Sequence, residues 1–312
     1  MSEIELQRRL LGDSVRNNAL HAALAKLIKP GVTTVADLGA GTGFLSFLAR
    51  QLGAKSCDLY EYSGTLELAR TLARANKLSG LRFVHAHSGE VSNPARVDLV
   101  VAEILGNFAL EEQLLETLND ARRFLKPGGT LLPCGLRQFV APVVQPRLQR
   151  EIDIWSQVGF DVDLSAARET SLNNMYVKTV RSADLAGGDS ARQWDRIEFK
   201  ASGKLPSSRR GATVEWTFGA DAPATIHGLA LWWIAELAPG ISLSTAPDAA
   251  LTHWEQIYLP MLEPLAAKAG DTLDVELRSD TATDVRLRWT TRLRRGAKVL
   301  IELKQDSFRG RL

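Results

Sequence analysis

TTVADLGAGTGFLSFLAR, residues 33–50, carries the first switch of period in the chain. TTVADL at 33–38 reads as a strand, since its apolar positions are continuous enough to be covered on both faces. Gly39, Gly41 and Gly43 follow at every second position, and from residue 43 apolar residues return at helical spacing. A glycine loop at a strand–helix junction lets a ligand approach the backbone beside a helix N-terminus. The dinucleotide spacing G-x-G-x-x-G would need Gly or Ala at 44 or 46, where the chain has Phe44 and Ser46. Asp37, two residues before the first glycine, would also repel a pyrophosphate. A carboxylate there suits a ligand with an ammonium group.

Working outward, the alternation continues to about residue 135. Strands are predicted at 57–61, 81–86, 97–102 and 129–132, with helices at 43–52, 64–76 and 109–125. Residues 1–30 read as helical with a break at Gly12-Asp13. Strands alternating with helices imply a parallel sheet with ligand sites at the strands' carboxyl ends. Beyond a boundary near Pro133, short alternating runs separated by turn residues (MYVKTV, DRIEFKA, ATVEWTF, HGLALWWIAEL, DTLDVELR, DVRLRWTTRL, KVLIELK) imply an antiparallel barrel or sandwich. The expected division is 1–134 and 135–312.

Composition excludes several classes. The 312 residues suffice for two domains, and a formal net charge of +2 builds in no long-range attraction to nucleic acid. Two cysteines, Cys57 and Cys134, cannot make a disulfide framework, and no Cys/His set has metal-ligand spacing. GLALWWIAEL is about half the ~20 apolar residues that a membrane helix needs. MSEIELQRRL lacks a signal-peptide core, so a cytoplasmic protein without membrane contact is expected.

Acids recur where strands end. Glu61 closes the second strand in LYEYS, placed to accept both hydroxyls of a ribose. Glu90 follows the third in HSGEV, placed to accept from an adenine amino group. With Asp37 on an ammonium, these positions fit S-adenosylmethionine. In VDLVVAEILGNFALEEQLLETL (97–118), Glu103 ends the fourth strand and Glu112 lies nine residues on. Two carboxylates in a partly dry crevice call for a cation between them, and a guanidinium fits their geometry. The plainer alternative is that Glu111 and Glu112 decorate a helix N-terminus.

Together these motifs resemble the protein arginine methyltransferases over nearly the whole chain. LSTAPDAALTHWEQ contains that family's threonine-histidine-tryptophan loop as Thr252-His253-Trp254, and LLGDSVRN resembles its cofactor-contacting helix. The resemblance implies a Rossmann-like class I methyltransferase domain followed by an antiparallel β-barrel, with a helical dimerisation arm at about 147–174 and a homodimer. It implies that Glu103 and Glu112 clamp the substrate guanidinium and that His253 pairs with Asp13. It also implies that Arg16, Asp37, Gly39, Gly41, Gly43, Glu61 and Glu90 hold S-adenosylmethionine, with S-adenosylhomocysteine as product. The substrate implied is an arginine-containing protein or peptide. A small guanidine presents the same head group, and a ribosomal-protein methyltransferase or a silent cofactor-binding scaffold are the neighbouring alternatives. The chain departs from the family at Ile104 and Leu105, where a tryptophan and a methionine are usual, and at Leu10 and Leu114, where methionines are usual. The family's aromatic lid has no counterpart in MSEIELQRRL. His21, His85, His87 and His227 read as ordinary histidines.

Overall fold

The computed structural model describes residues 3–187, 189–219 and 224–311. Two helices lead: α1 (Glu3–Gly12) and α2 (Ser14–Leu27). The break between them falls at Asp13, whose side chain caps α2 by accepting from the Arg16 amide. The alternating section follows as β1 (Thr34–Leu38), α3 (Phe44–Gln51), β2 (Ser56–Glu61), α4 (Thr65–Ala75) and β3 (Leu81–His85), then β4 (Val97–Val101), α5 (Leu114–Ala121) and β5 (Leu125–Leu132). All five strands are parallel in the order β3-β2-β1-β4-β5. The order reverses between β1 and β4, so the crevice beyond Leu38 and Val101 is the topological switch point where such sheets bind ligands.

Helix α5 begins later than its sequence suggests, at Leu114 and not near 109. Glu112 and Gln113 have φ of 54° and 56°, a left-handed turn that α-helix cannot continue through. Residues 103–113 are therefore an irregular hairpin, and Glu112 stands ahead of the helix instead of in its first turn. This removes the helix-decoration reading of Glu112.

The second half begins with β6 (Gly135–Val143), α6 (Arg147–Ile152), α7 (Ser165–Leu172), β7 (Tyr176–Lys178), β8 (Arg192–Glu198) and β9 (Arg209–Thr217). It continues with β10 (Ala224–Ala238), β11 (Ile241–Ser244), β12 (Gln256–Ala267), β13 (Asp271–Asp280), β14 (Arg286–Arg295) and β15 (Lys298–Asp306). One antiparallel sheet runs β7-β12-β10-β6-β8 with β11 on β10, and a second runs β15-β14-β13-β9. Their inner faces share one core, with Trp233 and Leu259 from the first sheet and Leu273 and Trp289 from the second. Among the described residues no ladder closes the two sheets into a continuous barrel.

Strands β6, β11 and β12 are not apparent in the sequence. Pro142 lies in β6, and Pro260 and Pro264 in β12, and proline argues against a central strand because it cannot donate to the ladder. The fold accommodates Pro260 opposite Gly228, beside a register shift in the β10–β12 ladder.

Candidate active site

The glycine loop is built for close approach. Gly39, Gly41 and Gly43 have φ of 71°, 53° and 80°. A Cβ on Gly41 would lie 2.9 Å from the Gln7 side chain of α1, and one on Gly39 would lie 3.3 Å from Ile104. Helix α1 thus lies across the crevice mouth. Three adjoining cavities share its residues and Gly39: one of about 50 Å³ at Arg16, Asp37 and Gly41, one of about 370 Å³ at Glu103, Glu111, Glu112 and His253, and one of about 490 Å³ at Tyr60, Tyr62, His87 and Ser88.

The chemistry of the first cavity matches the ammonium end of S-adenosylmethionine. The Asp37 carboxylate is 2% exposed and accepts one hydroxyl bond, from Ser46 Oγ at 2.8 Å. Burial raises its pKa to about 6, a rise tempered by Ser46 and reinforced by the Glu61 charge. A desolvated carboxylate whose donors both belong to Ser46, and which the Arg16 charge offsets only in part, is suited to a further cation. Glu61 is also buried, but its oxygens are anchored by the amides of Gly41 at 2.9 Å and Ser63 at 2.8 Å. Each oxygen keeps a lone pair that can accept a ribose hydroxyl.

Glu90 does not join this group. It is exposed on the turn after β3, and the residues lining the third cavity from that turn are Ala86, His87 and Ser88. The strand ends at His85, and a 3-10 turn over Ser88–Glu90 follows it. Glu90, expected at an adenine amino group, is not among the residues lining that cavity. Tyr62, His87, Ser88 and Thr117 are the lining residues that sequence reasoning missed, and only Tyr62 carried a signal, as the neighbour of Glu61.

Glu103 and Glu112 do line one cavity. Glu112 accepts no hydrogen bond among the described residues, and its pKa is raised by burial and then by the charge of Glu103. Glu103 differs. The Arg16 guanidinium, buried beside it, donates from Nε at 2.7 Å and from Nη2 to the same oxygen, Oε2. Arg16 therefore sits between the small cavity and the acid hairpin. With Oε2 taken by Arg16, Oε1 accepts from the Leu105 amide at 3.4 Å among the described residues and is the Glu103 oxygen with capacity to spare. Glu111 turns inward over Gly106, where any Cβ would meet its carboxylate at 2.3 Å.

His253 arrives from the antiparallel half, in the segment between β11 and β12. Asp13 Oδ2 accepts from its amide at 2.9 Å and lies 2.8 Å from its Nδ1. Burial pushes Asp13 up, but the amides of Arg16 and His253 and the imidazole outweigh it and hold the carboxyl below its ordinary value. Burial lowers the His253 pKa, and the Asp13 and Glu103 charges only partly offset that. An ionised Asp13 beside a neutral ring places the imidazole proton on Nδ1 and leaves Nε2 as a base. Asp13→Ala and His253→Ala should each reduce activity, and the double variant should lose less than the sum by at least about 0.5 kcal/mol. A double-mutant cycle on kcat/KM measures this; strict additivity would show that the two act separately.

Known proteins share this fold. Residues 137–293, half of the chain, match the family model "Arginine methyltransferase oligomerization subdomain". Residues 19–163 match that of "Ribosomal protein L11 methyltransferase", so the ribosomal alternative reflects a likeness of the first half alone. A probable protein arginine N-methyltransferase 6.1 of Oryza sativa subsp. indica is 28% identical, over 88% of this chain and 80% of the relative. The histone-arginine methyltransferase CARMER of Aedes aegypti is 30% identical over 86% of this chain and 46% of its own length. Protein arginine methyltransferase 10 of Arabidopsis thaliana superposes with a TM-score of 0.81 at 20% identity, covering 96% of this chain and 97% of that one. A chain of the Trypanosoma brucei PRMT1 enzyme-prozyme complex superposes at 0.84 and 21% identity, covering 96% of both. With matching motifs along both halves, this chain belongs to the protein arginine methyltransferase family.

Proposed function

We propose that the protein transfers a methyl group from S-adenosylmethionine to a guanidino nitrogen of arginine in a protein or peptide, with Glu103 and Glu112 as the guanidinium clamp. The observation that carries this reading is the shared cavity of Glu103 and Glu112, in which Glu112 has no hydrogen-bond partner among the described residues. Asp37, Glu61, Arg16 and the glycine loop fit the cofactor: Asp37 its ammonium, Glu61 its ribose, and Arg16 its carboxylate. Bound there, it supplies an electrophilic methyl group on sulfonium.

Deprotonating arginine in advance at neutral pH would cost roughly 9 kcal/mol, so the site binds the cation. Glu112 and Glu103 Oε1 draw its positive charge toward two nitrogens and leave the third the most nucleophilic. Arg16 fixes the rotamer of Glu103 by occupying Oε2, which limits the carboxylate to one orientation. The clamp then supplies alignment, which can account for several kcal/mol of a displacement barrier. As the new N–C bond forms, the attacking nitrogen becomes acidic. A clamp carboxylate or His253 Nε2 accepts its proton.

Incubation with labelled S-adenosylmethionine and arginine peptides, free arginine or cell lysate, followed by mass spectrometry of the labelled position, tests the reading. Label on a peptide guanidino nitrogen is expected. Label confined to free arginine would favour the small-guanidine alternative, and binding without transfer would favour the silent scaffold.

We also propose a homodimer in the cytoplasm. Between α6 and α7, Phe160 is 92% exposed, with Ile154, Val158 and Val162 exposed nearby. Such an apolar cluster on an arm is a surface to be covered. Light scattering should give about twice the 34.2 kDa chain mass, and Phe160→Asp should return it to the single value.

A further inference from the structure

The clamp stands on an irregular hairpin, and loops of this kind move unless something outside them fixes the backbone. Two consecutive carbonyls in its middle, Leu105 and Gly106, accept from two tryptophan indoles of the antiparallel half. Trp254 Nε1 donates to Leu105 O at 2.6 Å, and Trp233 Nε1 donates to Gly106 O at 3.1 Å. Asn107 Nδ2 returns a bond to Trp254 O at 2.6 Å. The two indoles meet edge to face, with centroids 5.0 Å apart and planes at 72°. Trp233 belongs to β10, is 1% exposed, and has its own backbone tied to Thr245 beyond β11. The Glu111 side chain also packs against Gly106, leaving no room there for a Cβ.

The plain account is that Trp233 is a core residue that happens to satisfy its N–H. The rest of the fold argues otherwise. The indole N–H groups of the core residues Trp194 and Trp289 are buried with no partner among the described residues, so this core does not pair every indole. Trp233 reaches Gly106, three residues after Glu103 and six before Glu112.

We propose that Trp233 is a positioning residue for methyl transfer, its indole N–H fixing the hairpin that sets the spacing of Glu103 and Glu112. This rests on the clamp reading above and deepens it. Loss of the bond lets the two carboxylates drift relative to each other, while the cofactor contacts of Asp37 and Glu61, on other elements, stay in place. Misplacement on the scale of 1 Å reduces turnover by about 10²-fold.

Trp233→Phe retains the aromatic volume and the edge contact and removes only the N–H. Trp289→Phe is the control, a buried core tryptophan whose N–H has no partner. In Trp233→Phe, amide exchange over residues 103–113 should accelerate about tenfold or more. Its kcat on an arginine peptide should fall by roughly 10–100-fold, with the affinity for S-adenosylhomocysteine within about twofold of the parent. Trp289→Phe should change neither exchange nor kcat. Unchanged hairpin exchange in Trp233→Phe, or equal changes in the two variants, would overturn the proposal. A parent enzyme silent on every arginine substrate would overturn the clamp reading and the catalytic role with it, whereas the exchange experiment still decides whether Trp233 holds the hairpin.

Discussion

Glu112→Gln is expected to lower kcat on an arginine peptide by about 10²–10³-fold, with S-adenosylhomocysteine affinity nearly unchanged. Glutamine keeps the size and a carbonyl acceptor but removes one of the two charges that polarise the guanidinium. Loss of a group acting on transition-state charge costs roughly 3–4 kcal/mol. The variant should be no less stable than the parent. Burial and the Glu103 charge hold the Glu112 pKa above its ordinary value. For a carboxyl raised on folding, the stabilised state is the protonated one, and that contribution is lost as pH rises through the folded pKa. At neutral pH the glutamine therefore removes a repulsion. Steady-state kinetics and calorimetric titration together test the claim; near-normal kcat would remove Glu112 from the clamp. Glu103→Gln is the less clean experiment. It leaves the buried Arg16 guanidinium without its counter-charge, which disturbs the cofactor end as well.

Asp37→Asn should weaken S-adenosylhomocysteine binding by about 10²-fold or more, the scale of losing one member of a buried charge pair. It should also make the cofactor-free protein more stable. Folding carries the Asp37 pKa from 3.8 to about 6, chiefly by burial. That rise corresponds to a penalty of roughly 3 kcal/mol for the ionised form above pH ~6. Asparagine can still accept from Ser46 and carries no charge to desolvate, so the apo Tm should rise by a few degrees. In the parent, affinity should fall about tenfold per pH unit below ~6, as the carboxylate takes a proton and no longer attracts an ammonium. In Asp37→Asn that dependence should vanish. Differential scanning fluorimetry without cofactor and titration between pH 5 and 8 measure both effects; a lowered apo Tm would contradict the account of Asp37 as a strained binding group.

The residues whose position at a turn or strand end is legible in the sequence share one property: a local rule fixes them. Gly39, Gly41 and Gly43 are needed wherever a strand turns into a helix around a ligand, and their positive φ values follow from that turn. Asp37 and Glu61 sit at strand ends, where period-two alternation sets the direction of a side chain within a residue or so. Glu90 is the last residue of a short 3-10 turn beyond β3, so counting from the apolar run no longer gives the direction of its side chain. Apolar periodicity overextends helix α5 because it does not register the left-handed turn at Glu112 and Gln113.

Other features depended on segments far apart in the chain. Arg16 and Glu103 are 87 residues apart, and nothing local signals that the guanidinium takes one oxygen of the clamp. Trp233 and Gly106 are 127 apart, and the bond between them exists only because β10 packs against the hairpin. The pairing of Asp13 with His253 lay beyond local reading too, and was reached through resemblance of both segments to one family.

By itself the sequence determined the parallel sheet, the glycine loop and the strand-end acids, because each follows from the period of apolar residues and the backbone freedom of glycine over a few positions. The tertiary structure alone decided how the carboxylates are used: which oxygen Arg16 occupies, which acid is left without a partner, and which indole fixes the hairpin. Those are outcomes of desolvation and hydrogen-bond geometry between distant segments, and such terms are set only when the two halves of the chain pack together.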